Sequence, residues 1–281
     1  MRRIGFVVLA FVLPSLAFAD VTVTMKVKSS GMMGMAGSDL DEKVYFKGAK
    51  IRTESLGRAM GMGGMAHEFQ EIEITRLDKG LVWVIDEKES TYSEIRIDES
   101  AEDSAEVDFA IKDLKVTKTD NKRNIAGYEC KEVKVEFTVV MAKEESSVEQ
   151  KVRGSLWVAK EDEKLKELNE FWQKGFTAVG KRMGGEMDAM YKQFEPVLKD
   201  IGGVALASEI SIEMAVGDEE DEGEYKEAME MMKKFMKEGS LEGKAEEPTM
   251  GVKITTEVTS ILTGKLSDNL FEIPKGYRKI D

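Results

Sequence analysis

The sequence predicts an α+β fold, one antiparallel sheet with helices inserted late in a single domain. Three observations predict it. Apolar and polar residues alternate through much of the front half, the period of strands with one wet face. From Leu165 onward the apolar residues recur instead at three- and four-residue steps, the period of an amphipathic helix. Alternation then returns at Ile210 and again at Val252.

The chain opens with Arg2 and Arg3, an apolar run from Ile4 to Leu16, and the small-x-small pattern Ala17-Phe18-Ala19. The run is shorter than the ~20 apolar residues that a membrane span takes. Residues 1–19 are therefore expected to be a signal peptide. Residues 20–281 would form one exported, periplasmic domain with no stable membrane anchor.

Val21, Val23, Met25 and Val27 alternate with polar neighbours and mark the first strand. Further strands are expected from Val44 to Glu54 around Gly48, Glu71 to Leu77, Leu81 to Ile85, and Thr91 to Ile97. Asp78-Lys79-Gly80 and the run Asp86 to Ser90 read as turns between them. Leu81 to Ile85 is apolar at every position, which suits a central strand. From Ile125 the apolar phase changes between Cys130 and Val133, so this strand either carries a bulge or is covered on both faces. Lys151 to Ala159, with Trp157, is the next.

The helical stripe then runs through Leu165, Leu168, Trp172, Phe176, Val179, Met183, Met187, Met190, Phe194 and Leu198. A second helix, with Tyr225, Met229, Met232 and Met236 on one face, follows the acidic run Asp218 to Glu224. The helical insertions are thus placed near 161–200 and 222–238. A last strand spans Val252 to Val258, ahead of the ending Phe271 to Tyr277.

Composition narrows the function. The net charge is −13, and loss of Arg2 and Arg3 would make it more negative. Nucleic acid is excluded as a partner, because binding it rests on Lys and Arg. Cys130 is the only cysteine and His67 the only histidine, which rules out an intramolecular disulfide and a multi-histidine zinc site. Gly175 to Arg182 nearly matches a phosphate-binding loop, but it ends in Arg where Ser or Thr must reach Mg²⁺. Asp218 to Gly223 imitates the start of a calcium loop, yet Met229 occupies the position that needs a bidentate Glu. No nucleophile elbow, zincin helix or dinucleotide loop is present, so no enzyme activity and no cofactor are expected.

Two residue sets remain as candidate sites. Trp83, Trp157 and Trp172, with Phe176, Met183, Met187 and Phe194, would line an apolar ligand cavity. Met60, Met62, Met65 and His67, after Met32, Met33 and Met35 in an earlier Gly-rich segment, offer soft thioethers and an imidazole suited to Cu(I) or Ag(I). Methionines on such loops suit an adaptable apolar lid better, since thioether spacing is far less diagnostic than a paired-cysteine motif.

Tyr45-Phe46-Lys47-Gly48 to Ile51-Arg52, Val82-Trp83-Val84-Ile85-Asp86, Ile125-Ala126-Gly127-Tyr128-Glu129-Cys130, Leu156-Trp157-Val158-Ala159 and Phe271 to Tyr277 occur in this order. Together they resemble a secreted bacterial family of unknown function related to the LolA-type lipoprotein carriers. The resemblance implies a curved antiparallel half-barrel whose concave face is covered by helices, with an apolar cavity between. The expected function is a non-catalytic carrier holding a lipid or acyl ligand there. A partner protein in the envelope would fit the same role. The alternatives are the soft-metal reading and a structural envelope protein without a ligand.

Overall fold

The computed structural model describes residues 20–30, 37–60, 66–97, 108–143, 146–162, 164–166, 168–169, 201–215 and 251–280. They are almost all strand. In chain order these are β1 (Val21–Ser30), β2 (Gly37–Lys47), β3 (Lys50–Met60), β4 (Ala66–Arg76), β5 (Leu81–Asp86) and β6 (Thr91–Arg96). Then come β7 (Asp108–Ile125), β8 (Tyr128–Lys143), β9 (Ser146–Ala159), β10 (Val204–Ala215), β11 (Gly251–Thr263) and β12 (Arg278–Lys279). They form one sheet in the order β12-β6-β5-β4-β3-β2-β1-β11-β10-β9-β8-β7. Two meanders, β1 to β6 and β7 to β11, join where β1 pairs with β11, and only the short β12 runs parallel to its neighbour.

The α+β expectation is overturned: the fold is nearly all β. Among the described residues, α-helical conformation occurs only at 164–166, 168–169 and 201, with a 3-10 turn at Asp268–Phe271. No helix among them covers a face of the sheet. Leu165 and Leu168, the first two members of the helical stripe, are wholly buried within the main core itself. The periodicity that suggested a covering layer reports which side of a segment is apolar, and carries no information on where that side packs. The rest of the stripe and the whole 222–238 segment lie outside the described residues.

The turns explain the pairing. Gly48 has φ +59° and sits in a two-residue connection between Lys47 and Lys50, so the Val44 to Glu54 stretch, expected around Gly48, folds as the adjoining ends of β2 and β3 in a tight hairpin. Ala126 and Gly127 both have positive φ, 51° and 87°, as a type I′ turn between β7 and β8 requires.

Core packing uses both faces. Val21, Val23, Met25, Val44, Phe46 and Ile51 build the main cluster with Ile125, Cys130, Ala159, Leu206 and Val258. The opposite face of β2 to β5 carries Tyr45, Ile74 and Trp83, where the C-terminal segment lays down Leu270, Phe271, Ile273 and Tyr277. Arg76 anchors that segment. Its guanidinium donates to both oxygens of Asp78 at 2.8 and 2.7 Å, to the carbonyl of Phe271 at 3.2 Å, and to Glu272. Trp83 lies beneath it and donates Nε1–H to Glu94 at 2.8 Å.

The sheet is rolled rather than flat. Three strands separate β7 from β11, which in a flat sheet would hold them ~19 Å apart at ~4.8 Å per step. Arg123 of β7 nevertheless forms an ion pair with Glu257 of β11, passing over the Trp157 ring of β9.

Candidate functional site

On one face of β7 to β11 the register assembles an apolar surface apart from the main core. One row reads Phe137, Val152, Ile212 and Val252 across β8 to β11. The next reads Val116, Val135, Gly154, Ile210 and Ile254. A third holds Val133, Leu156, Ser208 and Thr256, whose two hydroxyls bond at 2.7 Å and supply the polar spot on this surface. Gly154 lacks a side chain in the middle of the face, and Ile210 Cγ1 lies 3.2 Å from where its Cβ would be. Phe137, Val139 and Val152 are buried, with Val135, Ile210 and Ile212 packed against them.

The other face of the same strands is wet and charged. Arg153 reaches Glu136 at 3.3 Å and Glu213 at 3.1 Å, Lys151 reaches Glu136 at 3.5 Å, and Lys253 reaches Glu209 at 2.8 Å. Such exposed pairs contribute little stability each. Their alternation fixes which face meets water, since a one-residue slip would turn every apolar side chain outward.

Where the charged face nears the main core, Glu132 is buried and accepts from Ser155 Oγ at 2.8 Å, Asn121 Nδ2 at 2.8 Å and Thr119 Oγ1 at 3.0 Å. These donors, Ser155 foremost, hold its carboxyl below the usual carboxylate range. Replacing Glu132 with Ala strips the donors of their acceptor and is expected to cost about 1–3 kcal/mol at neutral pH. A depressed pKa gives stabilisation that is present above the unfolded value and lost as pH falls through the folded one. The gap between wild type and variant in urea midpoint should therefore narrow as pH falls below 4.5, the ordinary value for this carboxyl. A gap that is constant into acid would show that the ionised carboxylate is not the stabilising form.

Cys130, opposite Arg123 in the register, is fully buried, and burial pushes its thiol pKa up. It is a core residue, not a reactive nucleophile. It lies on one side of β8 in the main cluster and Val133 on the other in a separate cluster, so the phase change in this strand marks cover on both faces.

The sequence-expected ligand residues divide between regions. Trp83 packs under the C-terminal segment and Trp157 against the main cluster, so these two do not share a cavity wall. Trp172, Phe176, Met183, Met187 and Phe194 lie outside the described residues. Of the thioether set, Met62 and Met65 lie outside them too, Met60 ends β3, and His67 is exposed on β4 opposite Ala59. No group of three His, Cys, Asp or Glu side chains among the described residues is placed to hold a metal ion. No helix among them is long and apolar enough to cross a membrane. The sequence reading did not single out the Glu132 cluster or the Arg76 anchor. Both unite residues from distant strands, and only a polar residue at an inward strand position, Glu132 beside Val133, hinted at the first.

The family model described as a domain of unknown function (DUF4412) matches residues 24–197, more than half of the chain. No curated protein matches it.

Proposed function

We propose, since this chain belongs to the family described as a domain of unknown function (DUF4412), that it is a non-catalytic binding protein for an apolar ligand such as an acyl chain. The ligand lies against the apolar face of β7 to β11. The observation that carries the reading is the segregation of that face: rows of Val, Ile, Leu and Phe on one side, ion pairs on the other, apart from the main core. Each chain methylene taken from water contributes ~0.8 kcal/mol, so an acyl chain needs no charged anchor to bind. The same proposal puts this activity outside the cytoplasm, resting on the signal-like pattern of Arg2, Arg3, the apolar run Ile4 to Leu16 and Ala17-Phe18-Ala19. Kinship to the LolA-type carriers is part of the same proposal, resting on the ordered segments from Tyr45 to Tyr277.

The test is displacement of a fluorescent stearate from the mature protein. Ile212→Asp puts a charge on the apolar face and is expected to weaken binding at least ~10-fold, as stranding a carboxylate there costs more than 1.4 kcal/mol. Ser211→Asp, on the wet face between Arg153 and Lys253, serves as the control and should bind as wild type. Equal affinity in all three proteins would remove this face as the site.

A second reading, soft-metal binding, draws on the topology. Ser30 pairs with Gly37, Gly37 with Met60, and Met60 with Ala66, so four strand ends stand in one row. The strand ends that flank 31–36 and 61–65, the sequence segments with Met32, Met33, Met35, Met62 and Met65, are therefore neighbours in the sheet. Cu(I) bound by the full chain and lost when Met60, Met62 and Met65 become Leu would establish it. Binding unchanged by those replacements would exclude it.

A further inference from the structure

The sheet contains an interruption that its two outer strands do not explain. β4 pairs with β3 along its whole length, from Arg76 opposite Lys50 to Ala66 opposite Met60. Its pairing with β5 covers only 72–76 and stops at Ile72 opposite Ile85. Beyond that point β5 ends and the chain turns back into β6, so among the described residues Ala66 to Glu71 have no strand partner on this side, and they present an open backbone edge in the interior of the strand order. Alternate residues of an antiparallel strand turn their N–H and C=O groups to the same side. About three residues of this stretch thus offer a donor and an acceptor to a further strand.

A cleft of about 350 Å³ adjoins the edge, between β4, the turn after β5, and Ile280. Its apolar part includes Ile72, Ile85 and Tyr92. Its rim holds Glu68, Glu71, Asp86 and Glu87 against the single cation Lys88, and none of those four carboxylates is ion-paired among the described residues. Among the described residues the gap is bridged by one side-chain hydrogen bond, Gln70 Nε2 donating to Glu87 at 2.9 Å, which a strand in the notch would replace.

We propose that this notch is a docking site for an extended, basic polypeptide segment, which adds as a strand beside Ala66 to Glu71. Backbone hydrogen bonds supply the affinity, and the cleft receives an apolar side chain from every second residue, as in other cases of strand addition. The carboxylate rim selects the sign of the partner. A second copy of this chain would bring the same carboxylates against themselves, and the chain's own segment 98–107, with five acidic residues (Asp98, Glu99, Glu102, Asp103 and Glu106) and no basic one, has the wrong charge.

The test uses the full mature chain and a labelled octapeptide of alternating Lys and Val, followed by fluorescence anisotropy. Two companions are a Glu/Val octapeptide and the Lys/Val peptide with alternate backbone nitrogens methylated. The proposal expects the basic peptide to bind at least ~10-fold more tightly than either. It also expects the loss of that binding in the double variant Glu71→Lys, Glu87→Lys, with the far-ultraviolet circular dichroism unchanged. Binding that survives methylation would be charge adsorption and overturns strand addition. Binding by the folded double variant moves the site elsewhere, absence of binding by the basic peptide refutes the partner class, and a dimer competing with the peptide assigns the edge to a second copy.

Discussion

Replacing Phe271 with Ala is expected to lower stability by about 3–5 kcal/mol, the range for a buried Phe that leaves a cavity. In a domain of this size that is a melting shift on the order of 10 °C. Phe271 has no exposed surface and closes the cluster of Ile72, Ile74, Trp83 and Ile85 from above. The neighbouring contacts cannot refill the space, because the segment is held at fixed points: Lys50 to Asp268 at 2.8 Å, Lys47 to the carbonyl of Leu266 at 2.8 Å, and Arg76 to the carbonyl of Phe271 itself. Thermal melts followed by circular dichroism and by tryptophan emission measure the effect. A shift under ~2 °C would mean that the C-terminal segment is not an integral layer of the fold.

An effect of comparable size is expected at Gly57, for a different reason. A Cβ there would collide with the carbonyl oxygen of Asp39 and lie 2.9 Å from the Cα of Leu40, both backbone atoms of the neighbouring strand. Side-chain rotation relieves neither contact, so β2 and β3 must part or slip near the pair Leu40 and Gly57. Gly57→Val is therefore expected to cost about 4 kcal/mol or more, in the range reserved for backbone conflict and core disruption. Because β3 also carries β4 from Ala66 to Arg76, the same variant should disturb the row that ends in Met60 and Ala66. Urea unfolding reads the loss. A midpoint within error of wild type would show that the two strands do not approach this closely.

Much of the sheet was legible because its strands obey the simple period. Val21 to Val27 and Leu81 to Ile85 fall in β1 and β5, and the return of alternation at Ile210 and Val252 falls in β10 and β11. β7 was not legible, although at 18 residues it is the longest of the described strands. It is the outer strand of its meander, with Lys112, Lys115, Lys118 and Lys122 along it, and register shifts after Lys112 and Lys118 break the two-residue period. Lysines and bulges on an edge discourage unwanted strand pairing, and they also erase the hydrophobic pattern from which a strand is recognised. The apolar face is a similar case. Ile210 and Ile212 announce an apolar side of one strand, but only the register joins them to Val152, Phe137 and Ile254. The notch beside β4 has no sequence signal at all, since it arises where β5 stops short of its neighbour.

The central claim is that the apolar face of β7 to β11 holds a ligand, and native mass spectrometry of the purified protein tests it most directly. The protein would be purified without detergent from the cells that produce it. The account predicts a lipid-sized adduct that is depleted in Ile212→Asp and retained in Ser211→Asp. A bare polypeptide that stays bare after incubation with a lipid extract would contradict it.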